Sequence, residues 1–553
     1  VNKSKLLSGN EALALAACDA GVKAFYGYPG TPSTEIFETG ERFIKKLDDG
    51  RVAEWAANEK VAYEFALGTS YTGHRAVVTM KHVGLNVAMD AFVNSAITGV
   101  QGGLVVAVAD DPGMHSSQNE QDTRFLADFA NLPLMEPCNP QEVYDFTREA
   151  FEISEREQLP VVMRMVTRLS HSRGLVFTGG ETLPPKTIGM PEGEDKLHWM
   201  LIPSYARGRY RNLRNKLAEL TSIFGKHNKM KLETNSKSGV ITAGMGRAYF
   251  DQYLKDAHIS AQKYNRLEIA GYPIDPQQLK SFVLACDTVY VFEEDYPYLE
   301  DKALPYAENI CVIHGRRDKT LTIDGELNIA KVREALEGRK IEGKVDETLM
   351  TEISDLVEIR PPKLCDGCGH ADAFTAITRA LENIGVKDHR IFGDIGCYSL
   401  GVLPPLNGMN TVVEMGASLS MAFGAAMAGM SPSVGVIGDS TFFHSGMTTL
   451  LSAAKSHLNL NLIILDNSIV AMTGQQVPVA SDIAPVLAKA VGFKEEQIHI
   501  LTPLPRQTAD NIAVLEKVFS KPGPSLIVFK RKCIQAMRRK VYTPIKSKEG
   551  HHA

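Results

Sequence analysis

Short apolar runs rich in β-branched residues recur along this chain, and helical stretches separate them. RAVVTMK, GGLVVAVAD and LPVVMRMV are the clearest in the first third. Each has the length of a strand and is apolar throughout instead of alternating. A strand reads that way when both its faces are buried, so the pattern predicts a parallel sheet covered by helices on both sides. Between the runs, ALALAACDAG predicts a helix stopped by Gly21, and VKAFYGYPGTPSTEIFE predicts a strand, a Gly/Pro turn and a helix opened by Ser33 or Thr34. The rhythm breaks at GGETLPPKTIGMPEGEDK, a turn-rich linker, followed by the charged helix RGRYRNLRNKLAEL. SGVITAGMG, TVYVFEED and AENICVIHG predict a second α/β unit, and the charged stretch EGRKIEGKVDETLMTEISD marks its end. SVGVIGDS, LNLIILDN and PSLIVFKRK are the strands of a third. The expected division is 1–180, a linker and helix at 181–235, a smaller middle domain at 236–350, and 356–553. The first and third units share size and texture, as two related folds in one chain would. The basic tail RRKVYTPIKSKEGHHA is expected to fray or to dock on a partner.

With 553 residues, several cores are required. A net charge of −5 gives no electrostatic case for nucleic acid or an anionic membrane. No apolar run reaches the roughly 18 residues of a membrane span, and the start VNKSKLLSGNEALALAA lacks the order of a signal peptide. The expectation is a cytoplasmic protein with no membrane insertion. Eight cysteines in such a length make no disulfide scaffold, so clustered ones point to metal or redox work.

The most specific segment is 436-VIGDSTFFHSGMTTLLSAAKSHLNLNLIILDNSIVAMTG-474. One buried strand ends in Gly438-Asp439-Ser440, and after a helix a second ends in Asp466-Asn467-Ser468-Ile469. A strand–helix–strand passage sets both ends at the same sheet edge, where α/β proteins bind ligands. Asp439 and Asn467 each offer a hard oxygen, which suits Mg²⁺ completed by ligand phosphates, and Gly438 lets backbone approach a phosphate.

This segment resembles the diphosphate-binding motif of thiamine-diphosphate enzymes, Gly-Asp-(Gly/Ser) followed after a helix by Asn-Asn or a near variant. The resemblance implies that Asp439, Asn467 and the carbonyl of Ile469 hold Mg²⁺, with Gly438 and Ser440 among the cofactor-binding residues. Asp466 stands where many members have Asn. Such an enzyme also needs a buried carboxylate, at the start of an apolar helix, to hydrogen-bond the aminopyrimidine ring. In 57-ANEKVAYEFALGTSYTGHRAVV-78, Glu59 with Ala62, Ala66, Gly68 and Gly73 resembles the pyrimidine-domain pattern. Glu59 is the catalytic candidate; Glu64 competes but lies deeper in the helix.

The stretch 361-PPKLCDGCGHADAF-374 carries Cys365 and Cys368 two residues apart, with His370 behind. Zinc would call for a second such pair, which the sequence lacks. A thioredoxin-like role would need a small redox fold that nothing else suggests. Cys397 in GDIGCYSLG and Cys533 in FKRKCIQAM fall in the same unit, and four thiolates are what an iron–sulfur cluster uses. Cys18, Cys138, Cys286 and Cys311 are scattered and read as structural.

Order and approximate spacing are similar to the 2-oxoacid:ferredoxin oxidoreductases. Within that family the similarity is greatest to the large subunits of indolepyruvate ferredoxin oxidoreductases, through YPGTPSTEI, NEKVA, TMKHVGLNVAMD, ADDPGMHSSQNEQD, GDIGCYSLG and GDSTFFHSGM. The resemblance implies two thiamine-binding-type doubly wound domains with a transketolase-C-terminal-like domain between them. It further implies a proximal 4Fe–4S cluster on Cys365, Cys368, Cys397 and Cys533. The implied reaction is oxidative decarboxylation of a 2-oxoacid, an aryl pyruvate by resemblance, to its acyl-CoA, with coenzyme A as co-substrate. A small second (beta) subunit is the implied partner. The sequence departs from the family pattern in showing no ferredoxin-like run of cysteines before Ala553. Electrons are therefore expected to leave to a ferredoxin or an iron–sulfur subunit.

Substrate selection is less legible. Thr31 in GYPGTPS matches a position near the substrate carboxylate in relatives, and equally fits a turn before a helix. His115 and Gln118 in MHSSQNEQD fit a pocket wall or a plain surface. Lys81 and His82 follow a strand and point to the cofactor side, while His370 and His444 lie near the site without a role. Two other readings stand: a thiamine-dependent non-oxidative decarboxylase without a cluster, and a cofactor-carrying subunit active only in a complex.

Overall fold

The computed structural model describes residues 3–179, 181–189, 198–338, 347–357, 362–386, 390–480 and 482–538. The tail expected to fray lies outside them from 539 onward, as does much of the charged boundary stretch. The chain forms two compact units, 1–344 and 345–553.

The first unit carries a seven-stranded sheet in the order Gly271–Tyr272, Leu134–Met135, Val161–Val166, Leu104–Asp110, Ala76–Lys81, Ala24–Gly27, Val52–Trp55. Every pairing is parallel except the first. All residues of the three central strands are buried, which is why those strands read as unbroken apolar runs. Helices pack in two groups: Gly9–Asp19 with Thr34–Leu47 and Pro140–Glu157, and Glu59–Tyr71 with His82–Thr98. Local chemistry sets their starts. Ser8 and Glu11 form a capping box, and Asn139 caps a helix whose first residue is Pro140. Ser33 occupies the cap position of its helix, yet its hydroxyl donates to the Gly30 carbonyl at 2.7 Å and does not cap.

A second sheet in this unit runs Val312–His314, Thr288–Phe292, Ser238–Ala243, Asn265–Ile269, Lys229–Lys231, parallel but for the last pair. Immediately after Ile269 the chain leaves it, and Gly271–Tyr272 joins the seven-stranded sheet. Buried charges reinforce the join. Arg124 bonds Asp122 (2.6 Å) and Glu293 (2.7 Å), and Arg164 bonds Asp110 (2.7 Å), Glu136 and Asp295. Both arginines are fully buried, a placement tolerated only with such pairing.

The second unit has one all-parallel sheet ordered Thr411–Val412, Ile391–Gly393, Ser433–Gly438, Leu460–Asp466, Ser525–Lys530, Ile498–Leu501. Its two faces feed separate cores. Ile463 and Leu465 enter one with Ile377 and Phe374; Leu462 and Ile464 enter the other with Leu419 and Leu450. That is the period-two alternation of a strand, apolar on both sides. Among the described residues no helix is long and apolar enough to cross a membrane.

Candidate active site

In the second unit the strands Ser433–Gly438 and Leu460–Asp466 are neighbours, with Gly438 level with Leu465. Asp439 and Asn467 therefore emerge at one sheet edge. Asp439 opens the short helix Asp439–His444 and is 5% exposed. Its Oδ2 accepts the Ser468 N–H at 2.9 Å, and Asp466 Oδ1 accepts the same N–H at 2.9 Å. Burial, with Asp466 beside it, holds the Asp439 carboxyl well above the usual carboxylate range. Ser468 adopts a left-handed φ of 59°, and the Ile469 N–H donates to Asn467 Oδ1 at 3.1 Å. A carboxylate and an amide oxygen, together too few to enclose an ion, suit Mg²⁺ finished by a diphosphate. Gly438 is required on steric grounds: a Cβ there would meet the Tyr398 ring at 2.5 Å.

The cysteine segments converge on the same place. CDGC is a turn closed by the Cys368 N–H on the Cys365 carbonyl at 3.0 Å, with Gly367 at φ 79°. The Cys533 N–H donates to the Asn467 carbonyl at 3.1 Å, and Asn467 Nδ2 lies 3.7 Å from Cys397 Sγ. Burial raises the Cys397 thiol first, and the other three cysteines add to the rise, so all four lie within electrostatic reach. Cys368 is raised in the same way, by burial and then by Cys365 and Cys533. Among the described residues no three His, Cys, Asp or Glu side chains stand ready for a single metal ion. Four cysteines from three segments of the unit, the other three each within electrostatic reach of Cys397, have the ligand number and type that an iron–sulfur cluster uses.

Sequence reading passed over Asp394, at the end of Ile391–Gly393. It is fully buried, raised to about 6 by burial, and accepts from Tyr398, from the Gly416 N–H (3.0 Å) and from Ser418 Oγ (2.8 Å). It fixes the loop that carries Cys397. The signal was present: GDIG repeats the Gly-Asp of GDS at the end of the adjacent strand.

In the first unit Glu59 is the first residue of the helix Glu59–Tyr71, whose cap Asn58 accepts the Val61 N–H at 2.9 Å. Glu59 is 5% exposed, whereas Glu64 is exposed and pairs with Lys60 on the surface. Lys81 ends its strand close enough to Glu59 and Asp111 for both to act on its charge. Burial lowers its amine, and its Nζ donates to the Ser116 carbonyl at 3.1 Å. Asp111 gathers the following loop, accepting from the Ser116 N–H (2.8 Å), Ser117 Oγ (2.6 Å) and Thr167 Oγ1 (2.7 Å). Ser116 Oγ reaches the Thr31 carbonyl at 3.2 Å, so Thr31 and the loop of His115 are neighbours. His115 itself is exposed and lies 3.5 Å from Glu326; Gln118 is exposed. His82 is fully buried with Nε2 on the Asn119 carbonyl at 3.2 Å, and His444 bonds Ser445 Oγ at 2.9 Å.

Comparison with known proteins gives this geometry a class. Residues 15–185 match the family described as "Pyruvate flavodoxin/ferredoxin oxidoreductase, thiamine diP-bdg". Residues 394–529 match "Thiamine pyrophosphate enzyme, C-terminal TPP binding domain". The chain is thus a thiamine-diphosphate-type 2-oxoacid oxidoreductase chain. Among similar proteins are the indolepyruvate oxidoreductase subunits IorA of Archaeoglobus fulgidus and Methanothermobacter thermautotrophicus. The first is 34% identical over 95% of this chain and 86% of its own length. The second is 38% identical over 85% and 76%. This chain belongs to the family of IorA subunits of indolepyruvate oxidoreductase. In fold it is like the 2-oxoglutarate:ferredoxin oxidoreductase from Magnetococcus marinus, with a TM-score of 0.50 and 17% identity over 61% of this chain and 66% of that one.

Proposed function

We propose that the chain catalyses oxidative decarboxylation of an aryl 2-oxoacid such as indolepyruvate to the acyl-CoA. In this reading residues 1–180 hold the pyrimidine, 236–350 form the middle domain, and 356–553 hold the diphosphate, Mg²⁺ and a 4Fe–4S cluster. The observation that carries it is the placement of Asn467 between its neighbour Ser468, whose N–H donates to Asp439, and Cys397 and Cys533.

Bound thiamine diphosphate supplies a carbon nucleophile and an electron sink. The chain's own residues prepare for it. Glu59, buried at a helix N-terminus, is placed to hydrogen-bond a ring nitrogen and hold a proton there. Asp439, Asn467 and the Ile469 carbonyl hold Mg²⁺ against the diphosphate, with Gly438 and Ser440 lining its approach. Thr31 and His115 stand at the substrate end; Lys81 and Asp111 hold the Ser116 backbone, and the Ser116 hydroxyl bonds the Thr31 carbonyl. Cys365, Cys368, Cys397 and Cys533 would hold a 4Fe–4S cluster, which would supply a one-electron acceptor between the cofactor and a ferredoxin or an iron–sulfur subunit. A small beta subunit completes the assembly, which works in the cytoplasm.

The test is an anaerobic preparation assayed for iron, sulfide and thiamine, then given a panel of 2-oxoacids with coenzyme A and a one-electron acceptor. The expected result is about four irons per chain and acceptor reduction that is strongest with aryl pyruvates and depends on coenzyme A. A colourless, iron-free protein that still releases CO₂ would favour the non-oxidative decarboxylase instead.

A further inference from the structure

His370, the second residue of the helix Gly369–Asn383, is 6% exposed and touches both candidate metal sites. Its Nδ1 lies 3.6 Å from Cys397 Sγ, and its Nε2 lies 3.5 Å from Asn467 Nδ2. The hydrogen-bond directions follow from one independent contact. The Ile469 N–H donates to Asn467 Oδ1, which identifies the oxygen end of that amide. The other end is therefore an NH₂ group, and Nε2 of His370 must accept from it. A neutral imidazole that accepts at Nε2 carries its proton at Nδ1, and that N–H faces the Cys397 sulfur. Asn467 Nδ2 is also 3.7 Å from the same sulfur. One sulfur thus receives two N–H groups, and the amide is turned so that its oxygen points to the Ile469 side.

We propose that His370 is a positioning residue shared by the two sites: it holds Asn467 with Oδ1 toward Mg²⁺ and gives an N–H to the Cys397 thiolate of the cluster. The inference rests on the cluster reading above. Its physical content is twofold. An amide free to rotate would have to be turned oxygen-first when the cation binds, so the imidazole pre-orients the ligand in its binding orientation. Hydrogen bonds to cluster sulfurs stabilise the more negative, reduced state, so the Nδ1 proton raises the reduction potential. The same side chain links filling of the diphosphate site to the ease of reducing the cluster.

The test uses the full chain, purified anaerobically with any subunit that accompanies it, as wild type, His370→Phe and His370→Gln. Phe fills the space without donor or acceptor; Gln keeps one of each. Three quantities are read: iron and sulfide per chain, the midpoint potential from an EPR-monitored redox titration, and the Mg²⁺ concentration needed for thiamine diphosphate binding by calorimetry. In H370F the iron content stays at the wild-type value, the potential moves to a more negative value, and the Mg²⁺ requirement rises about 10- to 100-fold. H370Q recovers part of both. An unmoved potential or an unmoved Mg²⁺ requirement in cluster-loaded H370F overturns the proposal. If H370F does not fold, His370→Met is read by the same criteria. A wild-type chain without iron defeats the cluster reading itself, which the iron assay reports separately, and the Mg²⁺ measurement then judges the His370–Asn467 contact alone.

Discussion

Gly84 faces Glu59 so closely that a Cβ on it would stand 2.5 Å from Oε1 and 2.6 Å from Cγ. The whole glutamate side chain lies on the backbone of the neighbouring helix His82–Thr98, so the glycine is part of the carboxylate's seat. Gly84→Ala is expected to push Glu59 out of register and cut kcat while the protein stays folded. Glu59→Gln keeps the shape and loses the ionisable proton, with an expected fall in kcat of about 10²- to 10⁴-fold. Both are checked by steady-state turnover beside a thiamine diphosphate binding assay. Normal turnover by E59Q would remove this residue from the chemistry.

Cys533 hangs from the backbone of Asn467 through its N–H, which lets its thiol be altered without breaking that tether. Cys533→Ser should abolish or strip the cluster, seen as loss of iron and of brown colour, while the circular dichroism spectrum is retained. Cys286→Ser, in the first unit where the sulfur accepts from Asn265 Nδ2 at 3.4 Å, should leave the iron content unchanged.

Arg124 joins the seven-stranded sheet to the residues that follow strand Thr288–Phe292, through Glu293 and the carbonyl of Glu294 (2.7 Å). Arg124→Ala leaves Glu293 buried without its counter-charge and Asp122 with only the more distant Arg164 at 3.6 Å. The expected loss of stability is about 3–5 kcal/mol, measured by urea unfolding.

Glu294 is buried, and burial lifts its carboxyl from an ordinary 4.5 to about 7, opposed in part by the Leu327 N–H at 2.9 Å. A carboxyl raised on folding binds its proton more tightly in the native state. Its contribution to stability is full below about 4.5 and is lost as pH rises through about 7. Glu294→Gln, neutral at every pH, should flatten this part of the Tm-against-pH curve between about pH 4.5 and 7. An unchanged slope in the variant would show that Glu294 does not titrate in this range.

Fold class was legible because double burial leaves a direct trace: Val105 to Ala109 and Leu460 to Leu465 are wholly buried, and nearly every one of those residues is apolar. The meeting of Asp439 and Asn467 at one sheet edge was legible because each follows such a strand directly. Glu59 could be preferred to Glu64 from its place at a helix start; in the fold Glu59 is buried and Glu64 exposed. What stayed hidden depended on contacts between distant segments. Gly84 looks like any helical glycine until Glu59 is laid across it. His370 shows no role in CDGCGH until Cys397 and Asn467 come beside it. The pairing of Gly271–Tyr272 with Leu134–Met135 involves two residues on each side, too few to leave a periodic pattern.

That brief pairing limits how the chain can be divided. A fragment ending near residue 180 would expose the edge of Leu134–Met135 to any passing strand, inviting aggregation. It would also leave Arg124 and Arg164 without Glu293 and Asp295. Gene fission, or laboratory dissection, that separates the opening sheet from the middle region would yield an insoluble piece, whereas a cut after residue 344 separates the two compact units. Modularity in this protein follows the contact units and not the boundaries of its individual sheets.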